Sequence, residues 1–462
     1  MSSRIVLCSL AAMFLAGDPP LLAQATPPQP GRILTLNEAL ALAEAQSEQV
    51  AMARAGITRA AGGELLVRSE RRPQLSGSVS YDRALASEFS GLFDNADGFG
   101  SGEGFDDLPF GRANTYRLNL SFSQSLYTGG RLAAQERQAQ LASANASLGL
   151  KTTRAQLTFD VARAFYDAAL ADRFVAIAEA TLAQAGQAFE QTRAQREAGR
   201  VSEFELLRSQ VARDTLQPQV IRQRANRDVA YMRLRQLLDL PAEAVQLAAN
   251  LDDDPLPPEA LFAVPLARAE VAGAGRAAID EARLLVQIRE AAVDVVRAQR
   301  KPTFSVTSAY GNVAYPTWFP TGDIRTNWTV SVGGSVPLFT GGRIAAQETV
   351  ARADVDEGRA QLQLTQELAL LDAESARRDL TAATAAWEAT GGTIQQAQRA
   401  YEIAELRFSE GVGTQLELSD ARLLLQQALA NRVQAARDLQ VSRARLALLP
   451  DLPFTISGVP QR

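Results

Sequence analysis

One phrase occurs twice in this chain, and its repetition constrains the fold more than any other feature. Residues 125–136 read SLYTGGRLAAQE and residues 337–348 read PLFTGGRIAAQE, so the second copy follows the first by 212 residues. Each copy ends a strand-like stretch and opens a long helical stretch. The paired glycines suit a sharp change of backbone direction, because glycine accepts φ values that other residues avoid. Two copies in the same context predict a duplicated architecture. The residues of these strand-to-helix junctions are Gly129, Gly130, Arg131, Gly341, Gly342 and Arg343.

The segments before each junction alternate between apolar and hydrophilic residues, as amphipathic strands do. We predict one strand pair within residues 74–127 and a second within residues 303–339. In the best example the apolar positions, with Gln124 as the exception, are Tyr116, Leu118, Leu120, Phe122 and Leu126. Trp318, Phe319 and Trp328 suit an aromatic belt at a membrane interface. The alternation alone also fits a soluble sandwich with one solvated face.

Long helices follow the junctions. Residues 131–198 contain no proline, and 68 helical residues would span about 100 Å. A second long helix is predicted over residues 343–410. Return helices are predicted at 203–240 and 415–449, and shorter helices at about 36–72 and 266–300, the first opened by a capping box at Thr35 and Glu38. A plain coiled coil would share this pattern, but the strand pairs at one end argue against it.

Composition excludes several classes of function. The chain has no histidine, and its single cysteine, Cys8, falls in a predicted signal peptide. Thiolate metal sites and Ser-His-Asp chemistry are therefore not expected, and neither is a metal or another cofactor. The net charge of −5 does not suggest a nucleic-acid surface. No apolar run reaches the roughly 18 residues of a membrane helix.

The N-terminus has the pattern of an export signal, with Arg4, an apolar run over residues 5–16 and a small-residue cleavage site at 23–25. An exported protein without a membrane helix can still cross a membrane as a closed β-barrel. Four strands per chain are too few to close one, so several chains would have to share it. The predicted organisation is a signal peptide (1–25), a first repeat (26–240), a linker or equatorial segment (241–265), a second repeat (266–449) and a C-terminal tail (450–462).

The chain resembles the TolC family of outer-membrane efflux and secretion ducts over essentially its whole mature length. The residues that carry the resemblance are both junctions together with Leu36, Glu38, Ala39, Leu40, Tyr401, Ala404, Arg407, Phe408, Gly411, Leu416, Glu417, Leu418, Asp420 and Ala421. The resemblance implies an α+β membrane protein. Its homotrimer would form a 12-stranded β-barrel continued by a 12-helix periplasmic α-barrel with an equatorial belt. It also implies passive export of small molecules or proteins from a Gram-negative cell, with a periplasmic adaptor and an inner-membrane transporter as partners.

The turns between the long and return helices are the expected working end. Residues 199–205 read GRVSEFE and residues 411–417 read GVGTQLE, again 212 apart. The sequence predicts a capping box in each turn, from Ser202 to Glu205 and from Thr414 to Glu417. The tip residues expected to dock the adaptor are Gly199, Arg200, Val201, Ser202, Gly411, Val412, Gly413 and Thr414.

Three acidic residues near the tips are candidates for a periplasmic gate: Glu417, Asp420 and Glu205. The resemblance implies that acidic residues matching Glu417 and Asp420 ring the tunnel entrance, although capping alone would also account for the two glutamates. Some family members latch the closed tip with a tyrosine and an arginine. Phe408 and Gly413 stand at those positions here, so that latch is not expected.

Two other classes of function compete with the duct. A periplasmic adaptor or coiled-coil scaffold of an export complex would also be rich in helices, but it would normally carry one helical hairpin rather than two. An enzyme is less compatible with the sequence, because no catalytic constellation is present.

Overall fold

The structure, a computed structural model, describes residues 33–85, 114–241, 246–248, 275–315 and 324–454. The signal peptide with Cys8, Trp318 and Phe319, most of the predicted linker and residues 455–462 lie outside these ranges. In chain order the elements are β1 (Ile33–Leu34), α1 (Leu36–Gln46), α2 (Glu48–Ser69), β2 (Gln74–Arg83), β3 (Asn114–Tyr127), α3 (Arg131–Glu197), α4 (Glu203–Asp214), α5 (Gln217–Leu238), β4 (Gln246–Leu247), α6 (Ala277–Ala298), β5 (Thr303–Ala314), β6 (Ile324–Ser335), α7 (Arg343–Ser409) and α8 (Gln415–Leu448).

Four strands form one antiparallel sheet in the order β2-β3-β5-β6. Leu118 pairs with Val79, and Tyr310 pairs with both Leu120 and Trp328, so the apolar positions of all four strands share one face. The alternation read from the sequence therefore describes a real two-faced sheet, although serine and asparagine interrupt the apolar face.

One register detail corrects the sequence interpretation. A bulge at Leu126 separates Ser125, which pairs with Ser305, from Tyr127, which pairs with Phe304. Tyr127 therefore takes the place on the apolar face that we had predicted for Leu126, because the extra residue of a bulge shifts every side chain after it. In the second repeat the strand ends earlier, at Ser335, shortly before Pro337, which has no N–H to donate to a ladder.

The two long helices, α3 and α7, have 67 residues each. Helices α1, α2, α4 and α5 pack along α3, while α6 and α8 pack along α7. Short helices thus lie end to end beside each long one. None of the described helices combines the length and the apolar character needed to cross a membrane.

Two predicted helices are each divided in the structure. The helix predicted over 36–72 is broken at Ser47, whose backbone is extended and whose hydroxyl accepts a 3.4 Å hydrogen bond from the Val50 N–H. Ser47 thus begins a new helix as its N-cap. The helix predicted over 203–240 is interrupted between α4 and α5, where Pro218 cannot donate the backbone hydrogen bond that a continuous helix requires.

The main apolar core lies midway along α3, where Phe165 packs with Ala39 of α1, Leu234 and Leu238 of α5, and Leu439 of α8. β1 pairs in parallel with β4 beside this level, so part of the predicted linker is a strand.

A buried ion pair joins the start of α6 to α7. Arg276 lies 2.7 Å from Asp372, and the two side chains are 0% and 1% exposed. Arg276 also donates to the Leu452 carbonyl at 3.2 Å, which fastens the end of the described chain to α6.

Candidate functional site: junctions and tips of the long helices

The strand-to-helix junctions depend on glycine. Gly129, Gly130, Gly341 and Gly342 all have positive φ, between 58° and 93°. A Cβ on Gly129 would lie 2.7 Å from the Lys301 Cβ and 2.8 Å from the Ala298 carbonyl oxygen. The first junction therefore packs directly on the end of α6, and only glycine fits there.

The junction arginines tie each new helix to its neighbours. Arg131 donates to Gln135 at 2.9 Å and lies 3.5 Å from Glu70 at the end of α2. Arg343 donates to Gln347 and to Gln299, both at 3.2 Å. Both arginines thus connect the first turn of a long helix with the last turn of the helix before the strands.

A pair of carboxylates that the sequence analysis did not single out reinforces these junctions. Glu136, the last residue of the repeated phrase, lies 3.1 Å from both Arg68 and Arg71 of the preceding segment. The acid and base are 65 to 68 residues apart, so no local pattern reveals the contact. The only available signal was the identical final glutamate in both copies of the phrase.

We call this cluster of one glutamate and its arginines a clamp. The second copy of the phrase has a matching clamp with one more arginine. Glu348 lies 3.0 Å from Arg297, 2.7 Å from Arg300 and 2.6 Å from Arg352, and its side chain is only 8% exposed. The hydrogen bond from Arg297, assisted by Arg352 and Arg300, holds the pKa of Glu348 below its ordinary value. The carboxylate therefore stays charged through the neutral range.

The helical tips end in matching turns. Gly199 and Gly411 have φ of 72° and 75°. The N–H after each glycine, from Arg200 and from Val412, donates at 2.9 Å to a carbonyl near the end of the long helix. This is the hydrogen bond of a Schellman cap, which ends a helix and reverses the chain. In the second tip Gly413 is also confined, because a Cβ there would approach the Arg407 backbone within 3.0 Å.

The predicted capping boxes are formed only in part at the tips. Ser202 and Thr414 accept from the N–H groups of Glu205 and Glu417 at 3.3 and 3.2 Å. The full reciprocal box is recorded at Thr35, where the Glu38 carboxylate also accepts from the Thr35 N–H. The Glu417 carboxylate lies 3.7 Å from Arg407 instead.

The remaining tip residues divide between core and surface. Phe408 is buried against Tyr401, Leu418 and Leu425, so it anchors α7 to α8. Burial raises the pKa of Tyr401 to about 12, with the Glu405 carboxylate adding to the shift. Asp420 is exposed, and Glu205 is half-buried. Among the described residues, no three acidic side chains converge closely enough to hold a metal ion.

Comparison with known proteins gives the family. A family model described as Outer membrane efflux protein matches residues 39–239 and 270–449. The outer membrane efflux protein BepC of Brucella suis biovar 1 (strain 1330) is 22% identical over 408 residues, which make up 88% of this chain and 83% of that protein. The residues that the family model matches include both junctions and both tips, and this match confirms the family predicted from the sequence.

Solved structures show the same fold. The outer membrane protein VceC of Vibrio cholerae aligns with a TM-score of 0.71 at 20% identity, covering 90% of this chain and 95% of that chain. The CmeC outer membrane channel of Campylobacter jejuni aligns with a TM-score of 0.72 at 16% identity, covering 91% and 87%. Because the family model matches most of the chain, including both junctions and both tips, the chain belongs to the outer membrane efflux protein family and acts as an efflux channel of the outer membrane.

Proposed function

We propose that three copies of this chain form one passive duct, which crosses the outer membrane and continues through the periplasm. The sheets of three copies close into a 12-stranded barrel, and the long and end-to-end helices form a 12-column tunnel below it. A periplasmic adaptor and an inner-membrane transporter meet the duct at its tips and complete a tripartite efflux pump or a type I secretion system. Small molecules or proteins pass through without chemical change.

The open sheet supports shared closure. Its outer strands, β2 and β6, have one neighbour each among the described residues. The strands have 10 to 14 residues, enough to cross a bilayer when tilted. Val79 and Val332 on the apolar face are 79% and 72% exposed. Four strands are half the smallest known membrane barrel, so closure requires further copies.

The observation that carries the proposal is a difference between the two copies of the repeated phrase. In the first copy Tyr127 packs against Phe304 at the start of β5, with ring centroids 6.3 Å apart. In the second copy Leu338 and Phe339 are 93% and 91% exposed. The matching Leu126 and Tyr127 are only 57% and 46% exposed, so the second phrase lacks a neighbour, and another copy of the chain supplies it.

The junction glycines show the same difference. Gly129 is in contact with Lys301 and Ala298, whereas a Cβ on Gly341 would meet nothing within 4 Å. Since Lys301-Pro302 corresponds to Arg72-Pro73 in the first repeat, Phe304 corresponds to Leu75. We therefore expect Phe339 of one copy to pack on Leu75 of a second copy.

Disulfide crosslinking tests this arrangement. The predicted mature chain has no cysteine, so a Leu75→Cys, Phe339→Cys double variant carries one designed pair per interface. Oxidation should give covalent dimers and trimers, but no higher species, because three interfaces close the ring. Leu75→Cys alone, Phe339→Cys alone, and a Val79→Cys, Phe339→Cys pair displaced by four residues along β2 are the controls. Monomers in the designed pair, or equal crosslinking in the displaced pair, would contradict the proposal.

Cell fractionation distinguishes the duct from the competing scaffold function. A periplasmic scaffold would leave the apolar face of the sheet in water, which monomeric soluble proteins avoid. The duct should fractionate with the outer membrane as a trimer, and the scaffold with the soluble periplasm.

A further inference from the structure

The helix ends next to the sheet carry a concentrated positive charge. Residues 64–72, 129–140, 293–301 and 341–352, which we call the basic collar, contain ten arginines and lysines and five acidic residues. The whole chain has a net charge of −5. The net charge of the collar is therefore positive, whereas that of the whole chain is negative. The collar forms one band next to the strands.

The four parts of the collar lie side by side. Helices α2, α3, α6 and α7 pack in that order, which matches the order of β2, β3, β5 and β6 above them. The contact of Gly129 with Lys301 joins the first junction to the end of α6. The collar is thus continuous across the width of the chain.

The clamps neutralise only part of this charge. Glu136 is shared by Arg68 and Arg71, and Arg68 also lies 2.5 Å from Glu64, so the first clamp is balanced. Glu348 is shared by three arginines, of which Arg297 also lies 3.6 Å from Asp294, so the second clamp keeps one cation in excess. Arg68, Arg71, Arg297, Arg300 and Arg352 are each between 45% and 61% exposed, so these cations remain accessible to solvent.

Besides Arg343, which donates to two glutamines, three further cations of the collar have no acidic partner in the described parts of the chain. Over the described parts of the chain, no carboxylate lies within ion-pair distance of Arg72, Arg137 or Lys301. Arg137 lines a groove of about 410 Å³ between α3, α6 and α7, whose other charged lining residues are Arg297, Arg352, Arg359, Glu290, Asp294 and Asp356. Arginines outnumber acidic residues in this groove by four to three, and guanidinium binds phosphate oxygens in a bidentate manner.

We propose that the basic collar binds the phosphate headgroups of anionic phospholipids at the periplasmic face of the outer membrane. This inference rests on the proposed function, which places the sheet in the bilayer. Arg72 and Lys301 come two residues before β2 and β5, at the level of the headgroups. Arg137 lies about 9 Å further along α3 from the sheet than Arg131 does. This distance is close to the Debye length at physiological salt, so the charge of Arg137 still attracts anions at the headgroup surface.

The charge pattern favours a lipid surface over a single soluble anion. A soluble anion would need a few converging donors, whereas these cations are spread over four helix ends in one layer. Basic residues next to a membrane strengthen binding to anionic lipid by about 1 kcal/mol each, or about fivefold.

Native mass spectrometry of the full-length trimer tests the proposal. The protein in neutral detergent is titrated with phosphatidylglycerol or with phosphatidylcholine that has the same acyl chains. In an Arg72→Gln, Arg137→Gln, Lys301→Gln variant, we expect phosphatidylglycerol to bind at least about tenfold more weakly. Binding of phosphatidylcholine should not change. The clamps are intact in this variant, so the helices remain joined.

A matched variant removes the same charge elsewhere. It carries Arg193→Gln, Arg378→Gln and Arg399→Gln. These arginines lie on α3 and α7 away from the sheet, and they are 57%, 79% and 74% exposed. This control should retain full affinity for phosphatidylglycerol. Equal losses in the two variants, or no loss in either, would overturn the proposal. Displacement of the lipid by glycerol phosphate at equal concentration would also overturn it, because a soluble anion would then be the ligand.

Insertion into vesicles separates this inference from the function on which it rests. If the wild-type trimer inserts into pure phosphatidylcholine vesicles but shows no preference for phosphatidylglycerol, only the collar proposal fails. If it does not insert into vesicles of either composition, both proposals fail.

Discussion

Glu417 and Asp420 lie one turn apart on α8, but their surroundings differ. Arg407 is 3.7 Å from the Glu417 carboxylate and offsets part of its charge. No cation lies within ion-pair distance of Asp420 among the described residues, and its side chain is exposed. The two carboxylates, which the sequence groups together, should therefore contribute unequally to the field at the proposed tunnel mouth.

This difference gives a prediction for single-channel recordings in planar bilayers. Asp420→Asn should reduce cation selectivity more than Glu417→Gln does, and the double variant should lose block by trivalent cations from the periplasmic side. The effects should fade at high salt, because the Debye length falls from about 10 Å at 0.1 M to about 3 Å at 1 M. Arg407→Gln is the matched control and should increase cation selectivity, since it frees Glu417. Unchanged selectivity in the double variant would leave Glu417 with its capping position alone.

At the scale of elements, the strands carry the clearest prediction. Val330 and Ser331 are adjacent on β6, where the pairing with Ser308 and Thr307 is regular, so their side chains point to opposite faces of the sheet. If the apolar face meets lipid, Val330→Arg should destabilise the inserted protein by about 2–4 kcal/mol at mid-bilayer. Ser331→Arg should be tolerated. The measurement is the folded fraction in vesicles over a urea series, and equal sensitivity at the two positions would argue against a lipid-facing sheet.

The elements also show what the sequence could and could not predict. Both long helices begin at the residues expected, Arg131 and Arg343, because the signal is local: a strand pattern, two glycines and a helical pattern. The bulge at Leu126 was not predictable, since it depends on the register against β5. The clamp at Glu136 was missed for a similar reason, because its partners lie far away in the chain. The tips could be predicted only in part. Their turns follow from the glycines in the sequence, whereas the role of Glu417 depends on its contact with Arg407 in the folded chain.

At the scale of the whole molecule, the sheet and the tips are separated by the full length of α3 and α7, about 100 Å for 67 residues. Changes at one end should therefore leave the other end intact. Val412 is 69% exposed at the second tip and follows the glycine that reverses the chain. We propose that this exposed apolar side chain contacts the adaptor.

We expect Val412→Glu to abolish export while the disulfide ladder from Leu75→Cys and Phe339→Cys remains unchanged. A charge at this position would have to be desolvated on docking, which weakens binding to the adaptor. Val412→Ile should retain export and serves as the control. Export that survives Val412→Glu, or a ladder that is lost with it, would show that the tip is not the docking surface.

The exposed pair Leu338 and Phe339 also has a consequence for how the chain matures. In the proposed assembly, a copy that has not yet met its partners carries two open edges on the described sheet and an exposed aromatic ring beside one of them, and open edges pair with strands of other chains. The stability of a lone copy is then inseparable from the concentration of its partners. Between synthesis and assembly we therefore expect the chain to be prone to aggregation.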